Sequence, residues 1–157
     1  MADNLGWALT MRTFDRSFVD SFCSRLSRIP EDAKPLWGAM NRGQMFAHLS
    51  QAIGYSLGEL PRAKDEGNLF YHAVAAPLIL NGFIRMPRNV EAPKMYAFDA
   101  PGEPLESVHA RLEAFLDRMS EPHFNPLPHP LFGAIGAKGW GKLHIVHGDH
   151  HARQFAV

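Results

Sequence analysis

Prolines cut this chain into helix-length pieces, and that division limits what it can fold into. Of its twelve prolines, only Pro77 falls inside a stretch of helical periodicity. Phe14, Phe18, Phe22, Leu26 and Ile29 recur at spacings of four, four, four and three. That is a helical stripe, with Asp15 placed to cap it and Pro30 ending it. Lys34-Pro35-Leu36-Trp37-Gly38 reads as a turn into a second helix, about 40–57, whose apolar face includes Met45, Leu49, Ala52 and Ile53. Gly58 supplies its stop and Pro61 follows. Residues 62–67 are charged and loop-like. A third helix, about 69–85, is apolar nearly all round, which predicts a central place, and Pro77 should kink or divide it. Residues 86–104 carry Pro87, Pro93, Pro101 and Pro104 and read as a long irregular crossover. A fourth helix, about 105–119, presents Val108, Leu112, Phe115 and Met119. After a second connection rich in proline, histidine and glycine (121–136), a final helix spans about 138–154, with Trp140, Leu143 and Val146 apolar. There is no strand alternation, internal repeat or low-complexity tract. The expected fold is all-α, a four-helix bundle core with long connections and an extra short or split helix, in one domain spanning residues 1–157.

Composition narrows the function classes. With 46% hydrophobic and 20% charged residues the chain reads as globular. A formal net charge of zero argues against non-specific binding to DNA or anionic membranes, which needs a basic excess. No basic patch with interleaved aromatics points to nucleic acid. Cys23 is the only cysteine, so an intrachain disulfide is excluded and a reducing compartment fits best. The opening Met1-Ala-Asp-Asn-Leu-Gly-Trp7 has neither a basic nor an apolar leader region. The longest nearly apolar run, 73–80, is too short to span a bilayer. These features predict a cytoplasmic protein without a membrane or nucleic-acid partner.

The histidines carry the chemistry. There are nine, three of them in His147-Gly-Asp-His150-His151. On a helix, His147 and His151 stand one turn apart, with Cβ atoms ~5–6 Å from each other, near enough to share an ion. A third ligand must come from another element. His48 lies beside the apolar stripe of the second helix, and sites in bundles are built from inward residues on facing helices. His48, His147 and His151 together suit Zn²⁺, Ni²⁺ or Fe²⁺ and would leave positions open for water or substrate. The spacing admits equally a His-rich C-terminus that binds metal only adventitiously, and a lone mid-helix histidine such as His48 is more often a hydrogen-bonded core residue. His150 lies ~60° from His147 around the helix, away from His151, and reads as a hydrogen-bonding or solvent-facing neighbour. His144 reads as packing and His129 as satisfying loop backbone, each with a ligand or pocket role as the alternative. Asp149 and Arg153 flank the site, and Asp149 could orient an imidazole or equally form a surface salt bridge. Cys23 reads as a small buried side chain and not a nucleophile.

Two blocks of the chain are similar to a known pattern. Lys34-Pro-Leu-Trp37-Gly-Ala-Met40-Asn41-Arg-Gly-Gln44-Met45-Phe-Ala-His48 resembles the opening of the DUF1569 branch of the DinB-like superfamily. His129-Pro-Leu-Phe-Gly133, Trp140-Gly-Lys-Leu143 and His147-Gly-Asp-His150-His151-Ala-Arg153-Gln154-Phe155 resemble its closing motif. The resemblance implies an up-up-down-down DinB-type four-helix bundle with a divalent metal on three histidines, here His48, His147 and His151. It implies homodimers as a common state, and chemistry of the kind found in bacillithiol and mycothiol S-transferases and a mycothiol-dependent isomerase. The chain departs from the pattern where Ile135-Gly136-Ala137-Lys138-Gly139 offers neither a capping residue nor an acid, which predicts a frayed start to the last helix. It also ends six residues after His151, which places that histidine near a terminus and predicts a less rigid site.

Three functions follow as expectations. The first is a metal-dependent thiol S-transferase acting on small electrophiles with a low-molecular-weight thiol as co-substrate. The second is a metal-dependent hydrolase or isomerase. The third is a non-catalytic, metal-binding or stress-related bundle.

Overall fold

A computed structural model describes residues 12–89 and 101–157. Residues 1–11 and the middle of the 86–104 crossover, Pro93 included, lie outside the described residues. Those residues form helices α1 (Arg16–Leu26), α2 (Arg42–Ser56), α3 (Ala76–Leu80), α4 (Leu105–Met119) and α5 (Gly136–Gln154), with a π-helical turn, Tyr71–Ala75, leading into α3. Among them there is no strand, only one isolated antiparallel bridge between His129 and Gly133. The fold class is all-α. No helix among the described residues is long and apolar enough to cross a membrane.

Local chemistry sets the helix ends. The Asp15 carboxylate accepts from the Phe18 N–H at 2.8 Å and starts α1. Asn41 and Gln44 close a reciprocal capping box at the start of α2, the Gln44 N–H reaching Asn41 at 2.9 Å and the Asn41 N–H reaching Gln44 at 3.0 Å. At its other end the Glu59 N–H bonds the Gly54 carbonyl and the Gly58 N–H bonds the Tyr55 carbonyl. This Schellman closure requires the left-handed φ of +81° that Gly58 adopts. α5 begins at Gly136 with no side-chain cap at Ile135.

α1 and α2 each pack against both α4 and α5. Phe18, Val19, Phe22 and Leu26 from α1 bury against Val108, Leu112 and Phe115 from α4 and Trp140, Leu143 and Val146 from α5. α2 and α5 run antiparallel. His48 meets His147 near one end of the contact, whereas Ser56 meets His144 and Tyr55 meets Trp140 further along.

The predicted third helix is corrected in place and form. α2, not the 69–85 segment, is central: its residues from Met45 to Ser56 are buried on nearly every face. Small side chains make this possible. Arg111 of α4 crosses at Gly54, where a Cβ would stand 3.3 Å from its Nε, and the guanidinium bonds Ser50 and Glu59. The 69–85 segment lies at the periphery. Ala75, Ala76 and Ile79 are buried against the body, whereas Leu69 (82% exposed), Phe70 (62%) and Phe83 (67%) face outward. Pro77 is the physical reason for the division. It lacks an N–H and crowds the preceding turn, and that turn opens to π spacing, with the Ala76 N–H reaching back five residues to the Tyr71 carbonyl.

Candidate metal centre

Capped and buried on nearly every face, α2 holds His48 facing the last two turns of α5. Nε2 of His48 lies 2.9 Å from Nε2 of His147, and Nε2 of His151 lies 3.1 Å from the same atom. The three potential ligand atoms lie within 4.8 Å of one another. The rings meet edge to face, with centroids 4.7–4.9 Å apart. His48 and His151 are buried and His147 nearly so.

Two observations test whether these residues suit a cation. The first is proton counting. An imidazole Nε2 has one in-plane position, holding one proton or one lone pair. Nε2 of His147 therefore cannot form a full hydrogen bond to both neighbours, although both stand at hydrogen-bond distance. A cation that accepts a lone pair from each nitrogen satisfies all three at once. Ligand nitrogens ~2.0–2.1 Å from an ion, at angles of ~90–110°, are ~2.9–3.4 Å apart, close to the two separations seen. The second is charge state. Burial, followed by the nearby His150, pushes His48 down to about 4. Burial first, then neighbouring imidazoles, holds His147 and His151 well below the ordinary histidine value. All three are neutral at pH 7, the form that ligates. Among the described residues no carboxylate contributes to these shifts. The donor set fits a divalent borderline ion such as Zn²⁺, Ni²⁺ or Fe²⁺.

The remaining histidines separate from this cluster. His144 sits one turn before His147, and its Nε2 lies 3.0 Å from Ser56 Oγ. The Ser56 hydroxyl already donates to the Ile53 carbonyl at 2.6 Å, so His144 donates to Ser56 and packs edge-on against Phe115. His129 Nδ1 accepts from the Leu131 and Phe132 N–H groups, each at 3.1 Å, and holds its loop. His150 is buried, edge-on to Trp37, and not solvent-facing. His72 pairs with Asp65 and His109 with Glu113, each at 3.4 Å. His123 is exposed. Cys23 on α1 is half-buried, and burial, with Asp20 and Glu113 adding, pushes its thiol up to about 11. Asp149 orients no imidazole; it accepts from Arg25 at 2.7 Å and from Arg153 at 2.8 Å.

One residue of the site had no role assigned from sequence. Nδ1 of His151 lies 2.8 Å from Oε1 of Gln154. The signal was present, because Gln154 stands three residues after His151 on the same helix face.

Fold and site together define an all-α protein with a buried cluster of three neutral histidines contributed by two antiparallel helices. The family model DUF1569, described as a protein of unknown function, matches residues 11–157. The chain belongs to this family. No curated protein and no solved structure gives a significant match.

Proposed function

We propose that this protein is a metal-dependent thiol S-transferase of the DinB-like type, with His48, His147 and His151 holding one divalent ion and a low-molecular-weight thiol as co-substrate. The observation that carries the reading is the convergence of three Nε2 atoms from elements about a hundred residues apart. When bound, such an ion is a Lewis acid that lowers the pKa of a thiol or water. Three neutral imidazoles leave its positive charge uncompensated, which favours an anionic sulfur over a neutral ligand. The nucleophile comes from outside the chain, because Cys23 is held protonated and sits on α1. The co-substrate's S–H gives its proton to solvent, and its sulfur bonds an electrophilic carbon as the leaving group departs. α2 and α5 orient and dehydrate the place where this occurs.

Metal analysis of protein purified without a histidine tag tests the site. About one divalent ion per chain is expected in wild type, and its loss in His48→Ala. Conjugation of 1-chloro-2,4-dinitrobenzene by a panel of small thiols tests the chemistry. Chelation is expected to abolish the rate and added Zn²⁺ or Ni²⁺ to restore it. Unchanged metal content and rates after chelation would refute the reading. Turnover of electrophiles without any thiol would transfer it to hydrolysis or isomerisation at the same histidines.

A further inference from the structure

The geometry points to Gln154 as a positioning residue that, through the 36–38 loop, fixes which nitrogen of His151 is bare. The inference rests on the proposed metal site. Nε2 of Gln154 lies 2.7 Å from the Trp37 carbonyl oxygen. A carbonyl can only accept, so that end of the amide is the donor NH₂ and the other end is oxygen. The oxygen faces Nδ1 of His151 at 2.8 Å, and an oxygen there can only accept. Nδ1 of His151 therefore carries the proton, and in the neutral ring Nε2 carries the lone pair, aimed at His147 Nε2 at 3.1 Å. A backbone carbonyl before α2 thus dictates, through one amide, the tautomer of a side chain on α5. In the opposite tautomer, Nε2–H would point into the cluster and exclude a cation.

The loop is built for this contact. The Leu36 N–H donates to the Gln154 backbone carbonyl at 2.8 Å, so the loop holds the residue by main chain and side chain together. Gly38 adopts φ +76°, and a Cβ there would stand 2.7 Å from Gln154 Nε2. Only glycine allows the loop to lie this close without displacing the amide. Gln154 is buried, so water does not readily replace its oxygen. The last turn of α5, near a chain end and predicted to be loose, is secured to the segment that leads into α2.

Two variants and two measurements test the assignment. Gln154→Leu removes the acceptor; Gly38→Ala keeps the histidines and Gln154 in the sequence but pushes the Gln154 amide away. In two-bond ¹H–¹⁵N spectra of metal-free protein at neutral pH, wild-type His151 is expected as the Nδ1–H tautomer. Both variants are expected to shift it towards Nε2–H. In chelator competition, both are expected to bind Co²⁺ ~10–100-fold more weakly than wild type. Gln154→Glu, whose carboxylate still accepts from Nδ1–H, is expected to keep the tautomer. Circular dichroism identifies any variant that fails to fold, and the other then decides. An unchanged tautomer with Co²⁺ affinity within twofold of wild type in the folded variant would overturn the inference. If wild type binds no Co²⁺, the metal reading fails, yet the His151 tautomer still decides the role of Gln154.

Discussion

Lowering the pH should destabilise this protein, and two histidines outside the metal cluster supply a separable part of the loss. Burial pushes His129 down to about 4, and burial together with the charge of His129 pushes His144 down to about 3. Both have the ordinary value of 6.5 when unfolded. Because the folded values are depressed, the neutral rings stabilise the fold fully above pH 6.5, and that contribution falls as pH drops from there towards the folded values. At pH 5 the unfolded chain has taken up nearly a full proton at each site while the folded chain has taken up almost none. At 1.36 kcal/mol per pH unit, each histidine then costs ~2 kcal/mol, or ~4 kcal/mol for the pair. That is a large part of the ~5–15 kcal/mol stability of an ordinary domain. Urea melts of metal-free protein at pH 7.5, 6.0 and 5.0, followed by far-UV circular dichroism, measure the loss. His144→Gln should weaken the protein at pH 7.5, because it disturbs packing on Phe115 and Trp140, but it should remove about half of the pH slope due to the pair. A midpoint that does not move between pH 7.5 and 5.0, or a slope unaffected by His144→Gln, would refute the argument.

Two substitutions probe the packing and charges around the site. At Gly148, a Cβ would stand 2.6 Å from Cζ of Phe22, a buried ring stacked on Phe18 at 5.4 Å. Gly148→Ala should therefore lower stability by ~1 kcal/mol net, because overpacking of ~1–3 kcal/mol outweighs alanine's helix preference of ~1 kcal/mol; a higher melting temperature would contradict this. Asp149→Asn weakens the pairing with Arg25 and Arg153 and should cost ~1 kcal/mol in urea. It should leave Co²⁺ affinity within twofold, and a tenfold loss would show that Asp149 acts on the imidazoles after all.

The helices that pack on one face were the legible ones. α1 and α4 present single stripes, and the structure buries Phe18, Phe22, Val108, Leu112 and Phe115 from them. The 69–85 segment misled because hydrophobicity all round is consistent with two outcomes, full burial or an exposed apolar face. The choice depends on what packs beside the segment, and the small residues that let α2 take the centre are Ala47, Ser50, Ala52, Gly54 and Ser56. Small polar and small apolar residues leave weak periodicity, so the most buried helix carries the less obvious pattern.

The site was legible as a set of residues and not as a division of labour. On α5, His144 and His151 differ by only ~20° around the axis and His147 lies within ~60° of His144, so angle alone cannot separate ligand from packing. Axial position does. α2 runs antiparallel to α5, and one turn along α5 exchanges His48 for Ser56 as the opposing group. His144 thus meets a hydroxyl whose proton is already committed, and donates. His147 meets two imidazoles with one proton position to share. The same limit explains Asp149 and Gln154, which flank His151 by two and three residues. Arg25, a hundred and twenty-four residues away in sequence, reaches Asp149, and the carbonyl of Trp37 reaches Gln154. Arg25 commits Asp149, whereas the Trp37 carbonyl takes only the NH₂ end of Gln154 and leaves its oxygen to act on His151. A residue's capacity to donate or accept can be read from its type, but which capacity is already spent depends on contacts that only the fold supplies.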